Sequence, residues 1–294
     1  MTLSICRTVA EFREATDALR ARGERIALVP TMGALHRGHM ALVEAGNARG
    51  AAVALTLFVN PTQFGPNEDL ARYPRQFEAD RALCEQHGVR LLFAPPVEEM
   101  YPPGDRTRVR VTGLTEVLCG PKRPGHFEGV ATVVAKFFNA TGPATAFFGR
   151  KDYQQLQVIR RMARDLLMPI EVVGCATVRE ADGLALSSRN AYLSATERAV
   201  APTIARWLER SARDFDAGER RAGVLRQRVE QALVQAGFRV DYVELTTPED
   251  LAPIDDGATL PERALLAVAA FLGKTRLIDN LVLGEERGIA EAAS

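Results

Sequence analysis

The chain is poor in the residues that make covalent or metal-held scaffolds. It has four cysteines in 294 residues, Cys6, Cys84, Cys119 and Cys175. No two of them form a C-x-x-C pair, and none stands beside a histidine at metal-ligand spacing, so neither a zinc module nor a disulfide framework is expected. They are expected to be reduced and mostly buried thiols. A surplus of either charge is also missing: 37 Lys and Arg balance 37 Asp and Glu. That balance argues against a nucleic-acid partner, whose binding needs a basic surface. No apolar run is long enough to span a bilayer, so no membrane partner is expected. The opening stretch MTLSICRTVAEFREA has no basic end followed by an apolar run, as a secretory signal would. A cytoplasmic location is the expectation. Three familiar loops are absent too: the G-x-G-x-x-G dinucleotide fingerprint, the P-loop and the G-x-S-x-G nucleophile elbow.

What is present is an ordinary globular composition, 47% hydrophobic and 25% charged. The length suggests one large or two medium domains with a sizeable core. Up to about Cys175, short apolar runs alternate with helix-period segments. The runs Ile26 to Val29, Ala52 to Val59, Arg90 to Phe93 and Thr145 to Phe148 predict buried strands. The segments His39 to Arg49, Pro74 to His87, Gly129 to Ala140 and Asp152 to Leu167 predict helices. Such alternation implies an α/β fold, a Rossmann-like doubly wound parallel sheet. Beyond Cys175 the order becomes helices (Ser194 to Asp216, Glu219 to Ala236) and then strands (Phe238 to Leu245, Arg263 to Phe271, Arg276 to Leu283). This predicts a smaller C-terminal α+β domain, with residues 1–175 binding ligand and 176–294 forming a lid. The tail GEERGIAEAAS reads as frayed.

Ligands of a doubly wound sheet bind outside the carboxyl ends of its strands, so the segments that follow the strands matter most. After the first predicted strand comes Pro30-Thr-Met-Gly-Ala-Leu-His36-Arg-Gly-His39. Gly33 and Gly38 allow close backbone approach. His36 and His39, three apart, share a face at a helix start, where N–H groups and the dipole favour an anion. The plain alternative is a pair of turn histidines capping a helix. After the next strand, Asn60 and Gln63 in Phe58-Val-Asn60-Pro-Thr-Gln63-Phe-Gly-Pro-Asn67-Glu-Asp69-Leu offer uncharged donors and acceptors, suited to hydroxyls and a carboxylate. A polar turn built on Pro61 and Pro66 is the alternative. Gly149-Arg150-Lys151-Asp152 follows the fourth strand; Lys151 can neutralise developing phosphate charge, and Asp152 can cap a helix on which it shares a face with Gln155. Finally Val178 to Asn190 holds an Asp-Gly turn, then Leu186, Ser187, Ser188 and Arg189, a hydroxyl and guanidinium set suited to phosphate.

H-x-G-H after a leading strand resembles the nucleotidyltransferase superfamily, which includes class I aminoacyl-tRNA synthetases. The longer strings VPTMGALHRGHMALV, FVNPTQF with DL-x-x-YPR, FG-x-KD-x-QQ and SSRN resemble the pantothenate synthetase family, from about Val29 to Leu193. The resemblance implies ATP-dependent condensation of pantoate with β-alanine through a pantoyl adenylate, releasing pyrophosphate and AMP. It implies ATP contacts from Met32, Gly33, Ala34, Leu35, His36, Arg37, Gly38 and His39, from Gly149, Arg150, Lys151 and Asp152, and from Val178, Leu186, Ser187, Ser188 and Arg189. It implies substrate contacts from Asn60, Gln63 and Gln155, and catalytic roles for His36, His39 and Lys151. Mg2+ is expected to ride on ATP and water, with no protein-built metal site. The family's usual MSSRN reads LSSRN here, a volume-conserving change at Leu186. A GHF-x-GV string around His126 is shared as well, and a structural or substrate-lining role is expected for it. The resemblance also implies a homodimer.

Other readings of the same residues stand beside this one. A nucleotidyltransferase that keeps AMP on its product uses H-x-G-H too. A tRNA-charging enzyme is disfavoured by the neutral charge. A nucleotide-binding regulator without catalysis would not need both histidines and Lys151. Whether His39 serves as acid and base or by charge alone is open at this level.

Overall fold

The structure is a computed structural model, and it describes residues 2–66, 68 and 70–285. Met1, Asn67, Asp69 and the tail beyond Glu285 lie outside the described residues. The chain divides into two compact units. One takes in the chain up to Thr115 with Gly120–Gly149 and Gln155–Cys175; the other takes in Glu116–Cys119, Arg150–Gln154 and the chain from Ala176 on.

The first unit is built on six strands, β1 (Ser4–Cys6), β2 (Ile26–Thr31), β3 (Ala52–Leu57), β4 (Leu91–Phe93), β5 (Ala144–Gly149) and β6 (Ile170–Cys175). Every pairing is parallel and the order is β1-β4-β3-β2-β5-β6. Its helices are α1 (Val9–Ala21), α2 (Arg37–Ala48), α3 (Phe77–Gln86), α4 (Val97–Met100), α5 (His126–Thr141) and α6 (Tyr153–Asp165). From β2 the chain winds outward through β3 to β4, then returns to β5 on the other side of β2. The topological switch point is therefore between β2 and β5, where such sheets bind ligands. On one face, α2 and α3 cover a core of Val29, Met40, Val43, Val53, Leu55, Cys84 and Leu92. On the other, Phe12 of α1 stacks on Phe93 with ring centroids 4.5 Å apart, and Phe137 of α5 meets Phe93 edge-on.

The predicted parallel sheet is present, with two strands, the helix α1 and the one-turn helix α4 that the apolar pattern did not reveal. β1 is only three residues long, and β6 carries Glu171 and Gly174, which break the apolar run. The helix α1 starts at a capping box in which Thr8 and Glu11 exchange side chain-to-backbone bonds.

The second unit contains α7 (Ala195–Val200), α8 (Thr203–Asp216), α9 (Ala222–Gln235), β7 (Arg239–Thr246), β8 (Ala264–Leu272) and β9 (Thr275–Leu283). The strands form an antiparallel sheet, β7-β8-β9. Leu208 and Phe215 of α8 and Leu225, Val229 and Leu233 of α9 share a core with Leu266, Val268 and Leu281 of the strands. The single helix expected from Ser194 to Asp216 is broken at Pro202, which has no N–H to donate and so ends the run of helical bonds. Of the four thiols, Cys6 and Cys84 are buried, while Cys119 and Cys175 are half-buried.

Candidate active site

In the first unit the segment after β2 turns sharply into α2. Gly33 and Ala34 both take left-handed backbone, with φ of 86° and 51°. Glycine tolerates that conformation and alanine does not favour it. The loop is held by a residue from another element: Asp80 of α3, 1% exposed, accepts the backbone N–H of Ala34 at 3.0 Å and of Leu35 at 2.8 Å. A side-chain carbon at Gly33 would lie 3.0 Å from the same carboxylate.

His36 is the N-cap of α2, and with His39 it forms a capping box made of imidazoles. The Nδ1 of His36 accepts the Gly38 N–H at 3.1 Å, and the Nδ1 of His39 accepts the His36 N–H at 3.3 Å. The rings lie 4.1 Å apart between centroids. An Nδ1 that accepts cannot carry the proton, so each neutral ring is the Nε2–H tautomer. The capping reading and the anion-binding reading are thus compatible: one nitrogen caps, and the other is a donor at a helix N-terminus.

The segment after β3 forms a 3-10 turn, Pro61–Gln63, capped by Asn60. Asn60 is 1% exposed and its amide is used within the protein. Its Nδ2 donates to Gln63 Oε1 at 3.0 Å and to the Gly129 carbonyl at 3.1 Å. Its Oδ1 accepts from Tyr101 at 2.8 Å and from the Thr62 hydroxyl at 2.9 Å. Asn60 therefore aims Gln63. Gln63 in turn donates its Nε2 to the sulfur of Met32 at 2.9 Å. A thioether is a weak acceptor, so a carboxylate or hydroxyl oxygen can displace it favourably. Helix α5 comes close enough to this turn that a methyl at Gly129 would lie 2.4 Å from the Thr62 carbonyl.

His126, the first residue of α5, braces the same turn. Its Nδ1 donates to the Gln63 carbonyl at 2.9 Å, and its Nε2 accepts from Arg123 at 2.9 Å. With both ring nitrogens engaged in this way, the histidine is a structural strut. Arg123 also grips Glu68 at 2.7 and 2.5 Å. Burial works to raise the Glu68 carboxyl, but the hydrogen bonds and charge of Arg123 prevail and hold it below its ordinary value. Gln155, half-buried on α6, belongs to this unit too, as does Gly149.

The second unit holds the remaining residues singled out above. Arg150–Asp152 is a 3-10 turn that leads into α6, with Lys151 Nζ 3.8 Å from the Asp152 carboxylate. Asp152 lies in that turn and not on α6, where the helical pattern had placed it. Val178 and Leu186 sit opposite each other in a small hairpin, the Leu186 N–H donating to the Val178 carbonyl at 2.9 Å. The turn of the hairpin is closed by Asp182, which accepts the Leu184 N–H and pairs with Arg198. Ser187 caps the following 3-10 turn, Ser188–Tyr192, by accepting the Arg189 N–H at 3.3 Å. Sequence reasoning missed Asp80, Tyr101 and Arg123. Asp80 follows the YPR string at no recognised spacing, and only the fold brings it to the Gly33 loop.

Residues 4–282 match the family described as pantoate-beta-alanine ligase. The chain is 51% identical over 282 residues to the pantothenate synthetase of Moorella thermoacetica, covering 96% of this chain and 99% of that one. It is 53% identical over 277 residues to that of Azotobacter vinelandii, covering 94% and 97%. Among solved structures, a pantothenate synthetase from Thermus thermophilus superposes with a TM-score of 0.88 at 51% identity, covering 95% of this chain and 99% of that one. A pantoate-beta-alanine ligase from Francisella tularensis, complexed with beta-gamma ATP and beta-alanine, gives 0.76 at 30% identity, covering 98% and 100%. By sequence and by fold, the chain belongs to the pantoate-beta-alanine ligase family.

Proposed function

We propose that the protein joins pantoate to β-alanine in two steps at the expense of ATP, with the residue roles that follow. The pantoate carboxylate attacks the α-phosphorus of ATP and pyrophosphate leaves. The amine of β-alanine then attacks the acyl carbon of the pantoyl adenylate, and AMP leaves as pantothenate forms. The observation that carries this reading is the imidazole capping box at the start of α2, in which each Nδ1 accepts a backbone N–H and each Nε2 carries the proton, at a helix N-terminus beside the switch point.

The first step concentrates charge on the phosphate oxygens, and the protein's task there is alignment and donors. His36 and His39 supply Nε2–H donors, and the Met32 to His39 backbone lies where the nucleotide phosphates approach. Acting as neutral donors, they stabilise charge; they are not bases, because Nδ1 is bound to the backbone. Lys151, Ser187, Ser188 and Arg189 add cationic and hydroxyl contacts, with Gly149, Arg150, Asp152, Val178 and Leu186 lining the nucleotide. Gln63, aimed by Asn60, and Gln155 bind pantoate. Among the described residues no three His, Cys, Asp or Glu side chains converge as a metal cage would need. A Mg2+ ion would be held by the triphosphate and water, where it would neutralise phosphate charge. Residues 176–294 serve as the lid that keeps water from the adenylate. The working unit is a homodimer, and its location is cytoplasmic.

The test is the path of oxygen. Pantoate labelled with heavy oxygen in its carboxylate should pass one labelled atom to AMP. Label-free AMP would mean that the carboxylate never bonds to the α-phosphorus, and the adenylate route would fall.

A further inference from the structure

Strand β9 carries two buried polar residues in succession, Asp279 at 4% exposure and Asn280 at 8%. Both are expensive to bury, and each has an identifiable partner. Asp279 makes a two-pronged pair with Arg179: Nη1 to Oδ2 at 2.6 Å and Nη2 to Oδ1 at 3.0 Å. Arg179 is 6% exposed, sits between Val178 and the hairpin turn, and also donates to the Gly183 carbonyl at 3.0 Å. Through Arg179, β9 holds the hairpin whose far strand runs into Ser187–Arg189. Asn280 reaches the other element. Its Nδ2 donates to the carbonyls of Arg150 at 3.0 Å and Lys151 at 2.8 Å. Both amide hydrogens are used to fix the backbone from which Lys151 projects. Successive residues of a strand face opposite ways, so one dipeptide can reach two elements.

We propose that Asp279 and Asn280 are positioning residues that lock the Lys151 turn and the Ser187–Arg189 loop into one triphosphate-binding frame. All of these residues belong to the same compact unit. The frame explains why Arg150–Gln154, which follows β5 in the chain, goes with the second unit and not with the sheet it follows. The separation between the lysine and the serine–arginine loop is set by β9 and does not depend on ATP to assemble it. The inference rests on the reading of Lys151 and Ser187–Arg189 as ATP contacts.

The test is a double-mutant cycle on the full chain, with Asn280→Ala and Lys151→Ala alone and together. Lys151→Ala should cripple the first half-reaction. Asn280→Ala should reduce kcat/KM for ATP by about 10- to 100-fold, the scale of a small misplacement of a catalytic group. The KM for β-alanine should hold. In the Lys151→Ala background, Asn280→Ala should cost little more, because its effect runs through the lysine. Asn280→Asp, which keeps the shape and turns a donor toward two carbonyls into an acceptor, should match or exceed the alanine variant. Should Asn280→Ala not fold, Asn280→Ser, which keeps one donor, takes its place in the cycle. Wild-type ATP kinetics in an Asn280 variant, or effects that simply multiply with those of Lys151→Ala, would reduce the dipeptide to a fold-stabilising role and overturn the proposal. An unimpaired Lys151→Ala enzyme would instead remove the reading on which it rests.

Discussion

At the scale of single residues, the site works by fixing groups whose chemistry is ordinary. Asp80 touches no ligand in this account, yet it is the partner of two backbone N–H groups in a loop with two left-handed residues. Removing it leaves those donors buried without an acceptor, a cost of roughly 1–3 kcal/mol each. Asp80→Ala is therefore expected to lower stability by about 2 kcal/mol or more, and to lower kcat by at least about 10-fold as the imidazole pair shifts. Chemical denaturation and steady-state kinetics on the same preparation check both. Full activity in a destabilised Asp80→Ala protein would detach the carboxylate from the chemistry. The histidines follow the same logic. The sequence predicted them as an anion site or as helix caps; the geometry shows the capping, through Nδ1 of each ring, and the proposed anion contact uses the other nitrogen.

At the scale of elements, the Pro61–Gln63 turn, proposed above to hold pantoate, depends on how closely α5 packs beside it. With a Gly129 methyl only 2.4 Å from the Thr62 carbonyl, Gly129→Ala must push the Pro61–Gln63 turn away from the helix. The expected result is a rise of about 10-fold in KM for pantoate, from a misaimed Gln63, with a smaller change for ATP. Equal loss for both substrates would point to general unfolding instead. The Arg123–Glu68 pair ties the following segment to the start of α5, and its dependence on pH has a definite sign. The folded-state value of Glu68 is held down, so its contribution is present above the ordinary carboxylate value and is lost as pH falls through the folded one. The stability difference between the wild type and Glu68→Gln should therefore be level near neutrality and shrink below about pH 4. A difference that grows on acidification would contradict the assignment. Elements were legible in the sequence where their patterns were long and continuous. The four predicted strands and the helices between them are present, whereas β1, β6, α1 and the one-turn α4 fell below the pattern's reach. Pro202 split a helix that periodicity alone had read as one.

At the scale of the molecule, the order of motifs along the chain carried the family, because H-x-G-H, the glutamine loop, the lysine turn and the serine–arginine loop each sit after a strand or hairpin. What the chain order could not convey is which distant residues serve those motifs. Asp80 reaches Ala34 and Leu35, and Asn280 reaches Arg150 and Lys151, across separations of about 45 and 130 residues. Nor could it reveal that the lysine turn goes with the second unit, since its position after β5 assigns it to the sheet. The chemistry on which all of this turns is activation of a carboxylate as its adenylate and transfer of the acyl group to an amine. The most direct measurement incubates the protein with Mg-ATP and pantoate, with and without β-alanine, and follows pyrophosphate and AMP separately. Pantoate-dependent pyrophosphate release is expected, with multiple-turnover AMP and an amide product only when β-alanine is present; turnover without free AMP, or no dependence on pantoate, would contradict the adenylate route.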